Sequence, residues 1–152
     1  MLAMTQHLAQ LNLARLVAPL DDPRLADFVA GLPKINAVAD TAPGFVWRLV
    51  DDEGGDATSL RPFGDDVIVN LTVWQSVEAL RAFAFKSPHL EYLRRRREWF
   101  VPFGDVYTVN WWVPAGHRPS VGEARERLER LRCHGSTPSA FTLREPFPMS
   151  AG

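Results

Sequence analysis

The sequence predicts an α+β domain on a split β-α-β plan, with a four-stranded antiparallel sheet and its helices on one face. Three observations predict it. Stretches that alternate in period two occur four times, stretches of helical periodicity fall between and behind them, and their order is β-α-β-β-α-β followed by one more helix. The 152 residues fit one domain, 1–152, with a single sizeable core and a C-terminal extension over about 136–152.

Each element has its own warrant. "HLAQLNLARL" alternates apolar and polar residues and is the first strand. In "LDDPRLADFVAGLPKINAVADTA", Asp22 stands at a cap and Pro23 at the first helical position. Leu25, Phe28, Val29 and Leu32 then recur at helical spacing, and Pro33, which has no N–H to give, is expected to kink or interrupt that helix. "PGFVWRLV" is the second strand, "DDEGGDATSLRPFGDD" a turn-rich loop, and the β-branched "VIVNLTVW" the third strand. "SVEALRAFAF" is a helix capped by Ser76, and "SPHLEYLRRRREWF" restarts it, with Ser87 as cap and Pro88 at the first position. "VYTVNWWVP" is the fourth strand, "SVGEARERLERLR" a charged amphipathic helix, and "GSTPSAFTLREPFPMSAG" a tail without regular pattern.

Alternation sorts the strand residues onto two faces. Val67, Val69, Leu71 and Val73 share a side with Tyr107, Val109, Trp111 and Val113; Ile68, Asn70, Thr72 and Trp74 share the other with Thr108, Asn110 and Trp112. Both sides are too apolar and aromatic to meet water. With the helices on one face, the other is expected to be covered by a second copy of the chain, an isologous homodimer, or in part by the Phe- and Pro-rich tail.

Composition narrows the function. With 17 Lys and Arg against 18 Asp and Glu, the net charge is −1, which lacks the basic excess a nucleic-acid binder needs. No apolar run reaches the length of a membrane span. The first residues show neither a basic n-region nor an A-x-A site, so no signal peptide is expected and the chain is expected to be cytoplasmic. A single cysteine, Cys133, excludes an internal disulfide and a multi-thiolate zinc site. No phosphate-loop, dinucleotide, zincin or hydrolase-elbow motif is present.

Polar residues in apolar strands mark the candidate site. Asparagine is depleted in strands, yet Asn12, Asn70 and Asn110 each lie near the middle of one. Aligned strands would bring Gln10, Asn12, Asn70, Thr72, Asn110 and Trp112 to one side, with Arg48 of the second strand beside them. That makes a Trp-rich cavity with a few convergent polar groups, the character of a small-molecule site. The alternative is that the amides tie off bulges or strand ends. His89, at the start of a helix whose partial positive charge opposes protonation, is expected to be neutral, either as a packed core residue or as a base at the cavity. It aligns on the helical wheel with Leu93, Arg96 and Phe100, which makes Arg96 the inward candidate among Arg94 to Arg97.

"NLTVWQSVEALRAFAFKSPHLEYLRRRREWF", "WWVPAGH" and the final "REPFP" resemble the DUF3291 family, within the dimeric α/β-barrel superfamily of ferredoxin-like folds, and the match runs from about Leu8 to Pro148. The resemblance implies a homodimer and a small-molecule ligand. Antibiotic-biosynthesis monooxygenases of that superfamily carry an Asn-x-x-x-Trp pair that Asn70 and Trp74 match. They use no metal or flavin, which implies a cofactor-independent monooxygenase or isomerase acting on an apolar aromatic or enolisable substrate. In that role His89, Asn70 and Asn12 would be catalytic, and Trp74, Trp112, Asn110, Arg48, Arg96 and Phe83 would bind substrate. Haem-degrading relatives imply an alternative, a haem protein with His89 as axial ligand and Arg96 or Arg48 near the propionates. There, Asn12 matches a first-strand Asn, Phe83 stands where a helix Trp is usual, and His89 comes about a turn early. A non-catalytic ligand-binding module is the third possibility.

Overall fold

The computed structural model describes residues 5–52 and 54–149. Its centre is β1 (Gln6–Leu16), an alternating strand long enough to pair on both edges. On one side lies β3 (Val67–Trp74), antiparallel, in the register Leu8↔Trp74 to Arg15↔Val67. On the other lies β5 (Thr108–Pro114), in the register Gln6↔Pro114 to Asn12↔Thr108. The short β2 (Phe45–Arg48) pairs with β3 across an irregularity between Phe45 and Trp47, and β4 (Phe100–Val101) continues the β5 edge beside Arg15 and Leu16. The sheet order is therefore β2-β3-β1-β5, with β4 making a fifth strand. The predicted fourth strand is β5, since the two-residue β4 is too short to show as a pattern.

The odd-numbered face of β1 carries Ala9, Leu11 and Leu13, joined by Val69, Leu71 and Val73 of β3 and Val109, Trp111 and Val113 of β5. Over it lies α5 (Val121–His134), whose Ala124, Leu128 and Leu131 form a stripe at helical spacing. Ser120 caps α5 by accepting the Glu123 N–H at 3.0 Å, and Gly135 ends it at φ 71°, a left-handed value that glycine adopts without strain. Ala57, Leu60 and Phe63 of the β2–β3 loop cover the rest. This departs from the expectation that all helices share one face and a second copy covers the other. The charged sequence of α5 conceals an apolar stripe that itself needs a partner, and the odd face supplies it inside one subunit. Of the two grounds for a homodimer, the bare face is thereby removed and the family resemblance remains.

The even-numbered face lies beneath the other helices, and its apolar residues gather at two ends. One cluster holds Leu8, Trp74, Leu80 and Phe141, with Phe45, Phe83 and Trp112 against it. The other holds Leu16, Leu25 and Trp99, with Phe28, Ile68 and Tyr92. A 3-10 turn (Pro23–Leu25), capped by Asp22 through the Arg24 N–H at 2.9 Å, leads into α1 (Ala26–Asp40). The expected interruption at Pro33 is absent: the carbonyl that Pro33 leaves without a donor belongs to Val29, which is exposed, and water can serve it. Phe28 docks α1 on Trp99 and Phe100, with ring centroids 5.4 and 5.2 Å apart. Then come α2 (Val77–Lys86), capped by Ser76, α3 (His89–Arg94) and α4 (Arg96–Trp99).

Candidate active site: an amide floor between two aromatic clusters

The strand registers place the polar residues of the even face in two adjacent rows. Across β3, β1 and β5, the first reads Thr72, Gln10, Asn110 and the second Asn70, Asn12, Thr108. Neighbours in a row are about 5 Å apart and the rows about 7 Å apart along the strands. Beyond the first row stands the apolar row Trp74, Leu8, Trp112. The sequence therefore brings Gln10, Asn12, Asn70, Asn110 and Trp112 together as expected, at the middle of a sheet rather than at bulges or strand ends.

Their environments differ. Asn12 and Asn70 are exposed although they are mid-strand on the two central strands, so the space above them is open. Gln10 is half-buried, and none of these three side chains bonds to another described residue. Thr72 is buried and its hydroxyl accepts the Trp74 Nε1–H at 2.9 Å. Thr108 donates to the Leu11 carbonyl at 3.0 Å. Asn110 is wholly buried; its Nδ2 donates to the Phe141 carbonyl at 3.3 Å, and its Oδ1 has no partner.

His89 stands at the Trp74 end. Ser87 Oγ accepts the His89 backbone N–H at 3.1 Å, as the cap position predicts. The imidazole lies 4.9 Å from the Phe83 ring, and Phe83 stacks on Trp74 at 5.2 Å. Nδ1 is 3.1 Å from the Ala84 carbonyl, and a carbonyl only accepts, so the proton sits on Nδ1 and the lone pair on Nε2. Burial holds the pKa of His89 below the usual histidine range, against the opposing pull of that hydrogen bond. The neutral state expected from the helix start thus has a different cause, since α3 has only six residues.

The arginines are placed otherwise. Arg48 donates to Asp40 at 2.8 Å and to the Gly55 carbonyl at 2.9 Å, closing a cavity of about 190 Å³ between α1 and the β2–β3 loop. Arg96 is exposed and donates to the Leu93 carbonyl at 2.9 Å. The helix breaks at Arg95, so the stripe through His89, Leu93 and Arg96 does not continue. Arg95 instead stays at the surface, 4.8 Å over the Trp99 ring and 2.8 Å from Asp27 and Glu98. Haem in the expected pose would draw on Arg48 or Arg96 for its propionates. One is already paired and the other points to solvent, so these residues do not fit that group. Among the described residues no set of three His, Cys, Asp or Glu converges on a metal site, and no helix is long and apolar enough to cross a membrane.

Two features depart from the sequence reading, which has the tail as partial cover for the face without helices and has no groove beside α2. The tail from Ser136 is an extended strap: Asn110 and Phe141 exchange backbone hydrogen bonds, Trp112 Nε1 donates to the Phe147 carbonyl at 2.9 Å, and Arg81 bonds the Leu143 carbonyl. Phe141, Leu143 and Phe147 thereby join the Trp74 cluster. The signal was the aromatic spacing in "AFTLREPFP", which follows neither helical nor strand period. The second is a groove of about 660 Å³ between the end of α1 and α2, lined by Val38, Ala42, Ala79, Ala82 and Phe83 among others, within the size range of small-ligand sites.

The fold and site define a split β-α-β domain whose sheet offers an amide-bearing face between aromatic walls, with Arg48, opposite Thr72 and paired to Asp40, at its β2 edge. The chain belongs to the DUF3291 family, a domain of unknown function, which it matches over residues 7–152. No curated protein matches it. Among solved structures it is similar to SnoaB, a cofactor-independent oxygenase from Streptomyces nogalater (17% identity, 76% of this chain and 97% of that one, TM-score 0.46). It is similar also to a monooxygenase from the gene ActVA-Orf6 of Streptomyces coelicolor, solved with nanaomycin D (16%, 76% and 94%, 0.39). A third is the NE2512 protein of unknown function from Nitrosomonas europaea (13%, 77% and 98%, 0.47).

Proposed function

We propose that this chain is a small-molecule enzyme that works without metal or organic cofactor, an oxygenase or isomerase acting on an apolar aromatic or enolisable substrate. His89 Nε2 takes the proton, Asn12 and Asn70 donate N–H groups to the enolate or phenolate oxygen that forms, and Trp74, Phe83 and Trp112 wall the apolar body. The Trp74 and Asn70 rows are about 13 Å apart, four residues at roughly 3.3 Å each. One conjugated ring system spans that length, so the proton can leave at one end while charge settles on oxygen at the other. As an oxygenase, the carbanion adds dioxygen; one oxygen atom stays on the carbon as a carbonyl and the other departs as water with the two hydrogens the carbon lost. As an isomerase, the proton returns to a different carbon.

The observation that carries this reading is the pair Asn12 and Asn70, cross-strand neighbours at mid-sheet, exposed and without side-chain partners, beside an aromatic cluster whose neutral histidine holds its proton on Nδ1. Both branches begin with proton abstraction from carbon, so exchange of the carbon-bound hydrogens beside the carbonyl of fused aryl ketones such as tetralones for solvent deuterium, followed by NMR, tests them together. Oxygen uptake then separates oxygenase from isomerase. His89→Phe, which keeps the stack on Phe83, is expected to slow exchange by about a hundredfold or more. Ligands that bind but never exchange would leave a carrier module and overturn the enzymatic reading.

A further inference from the structure

Asn110 differs from the other amides of the floor in having its orientation settled. Its Nδ2 faces the Phe141 carbonyl at 3.3 Å, and two facing oxygens would repel, so the amide cannot be turned over. Its backbone N–H and carbonyl are bound to Phe141 as well, at 2.8 and 2.9 Å, so the strap locks the residue in place. What remains is Oδ1, wholly buried and unpartnered, in the same row as Gln10 and Thr72. A buried acceptor with no donor is a standing cost, and native proteins keep one where a water or a ligand meets it. No described side chain donates to it: the Trp74 indole N–H goes to Thr72, Thr108 in the neighbouring row gives its hydrogen to Leu11, and neither Gln10 nor Thr72, its companions in the row, bonds to it.

We propose that Asn110 is a specificity-determining residue, whose Oδ1 selects ligands that bring a hydroxyl or N–H to the Thr72–Gln10–Asn110 row. This rests on the reading of the floor as a substrate site and refines the substrate class. One oxygen function meets Asn12 and Asn70 and develops the charge. A second, one row along and one strand across, about 8 Å from Asn12 on the diagonal by the strand spacings, keeps its hydrogen and gives it to Asn110. Analogues alkylated at that second oxygen leave Oδ1 unmet and are rejected, because a site built to bond a hydroxyl discriminates strongly against ligands that lack it.

The test is calorimetric titration of the full chain with 2,7-dihydroxynaphthalene and with 7-methoxy-2-naphthol, which differ only in the second hydroxyl. The diol is expected to bind roughly tenfold or more tightly, as the loss of one buried hydrogen bond implies. Asn110→Leu is expected to bring the ratio close to one. Equal binding of both compounds to the unaltered protein would mean that water satisfies Oδ1, and would overturn the proposal while leaving the site reading intact. A ratio that persists in Asn110→Leu would also overturn it. Binding of neither compound would sink both readings. Should Asn110→Leu fail to fold, Asn12→Ala/Asn70→Ala takes its place: a preserved preference supports Asn110, and a lost one assigns the selection to the exposed pair.

Discussion

The two faces of the sheet are made from the same strands, yet they solve different problems. On the odd face Ala9, Leu11 and Leu13 of β1, Val67 to Val73 of β3 and Val109 to Val113 of β5 are apolar and buried at every second position, with His7 and Arg15 only at the ends of β1, and α5 with the β2–β3 loop seals them. On the even face the apolar residues stop short of the centre, and two rows of polar side chains take their place. The difference shows where the stability of the fold resides and where it has been given up. A face that serves packing alone has no reason to leave carboxamides unpaired over the middle of its two central strands.

The sharpest way to break this comparison is to damage the odd face. Leu11 is wholly buried there, opposite Leu71 and Val109. Leu11→Ala is expected to cost about 2–5 kcal/mol, the range for removing a core leucine and leaving a cavity. Urea unfolding measures it, and a loss below about 1 kcal/mol would mean that this face is not the main core.

The next largest effect belongs to the roof of the even face. Gly31 of α1 is buried against Tyr92 of α3, and a Cβ built on Gly31 would collide with the Tyr92 ring. The intrinsic helical preference of alanine over glycine favours Gly31→Ala by about 1 kcal/mol, so any net loss understates the clash by that amount. Gly31→Ala is expected to destabilise, and combining it with Tyr92→Leu to recover part of the loss. Thermal unfolding of the single and double variants separates the two contributions, and no recovery would place the cost in the backbone rather than at the crossing.

Much of this division was legible in the sequence. Alternation placed Asn12, Asn70, Asn110, Trp74 and Trp112 on one face, because strand side chains leave no freedom in which side they take. Helix starts at Pro23, Ser76 and Ser87 were readable because their caps are local. What escaped depended on long-range contacts. The position of α5 follows from which face still needed cover, not from its own 14 residues. Arg48 is removed from the site by Asp40, eight residues earlier, and Arg96 by a helix break that the run of four arginines hides. The strap is held largely by side chains reaching its carbonyls, an arrangement with no period to detect.

His89 gives the comparison a pH dependence. Burial lowers its folded pKa, so the unfolded chain takes up the proton more readily than the folded one. The stability that neutral His89 allows is fully present above the unfolded value, about 6.5, and is lost as pH falls from there through the depressed folded value. His89→Phe is expected to flatten the urea stability profile over that window and leave it unchanged above neutrality. Imidazole resonances followed by NMR check the direction independently, since a midpoint at or above the ordinary value contradicts it. The same titration predicts that proton abstraction fades only at pH below the ordinary histidine range.

The smallest expected change in stability is also the one that most sharpens the contrast. Asn12 and Asn70 are exposed and bond to no other side chain, so Asn12→Ala and Asn70→Ala remove nothing the fold depends on. Alanine is no better a strand former than its surroundings require, and surface substitutions of this kind fall within about 0.5 kcal/mol of neutral. The equivalent mid-strand truncation on the odd face, Leu11→Ala, is severe although the two residues are adjacent in sequence. If the asparagine variants unfold as easily as the leucine variant, the amides are structural and the floor is a packed layer. If they keep their stability and lose ligand, the central carboxamides are held there for recognition, and the even face trades core for binding.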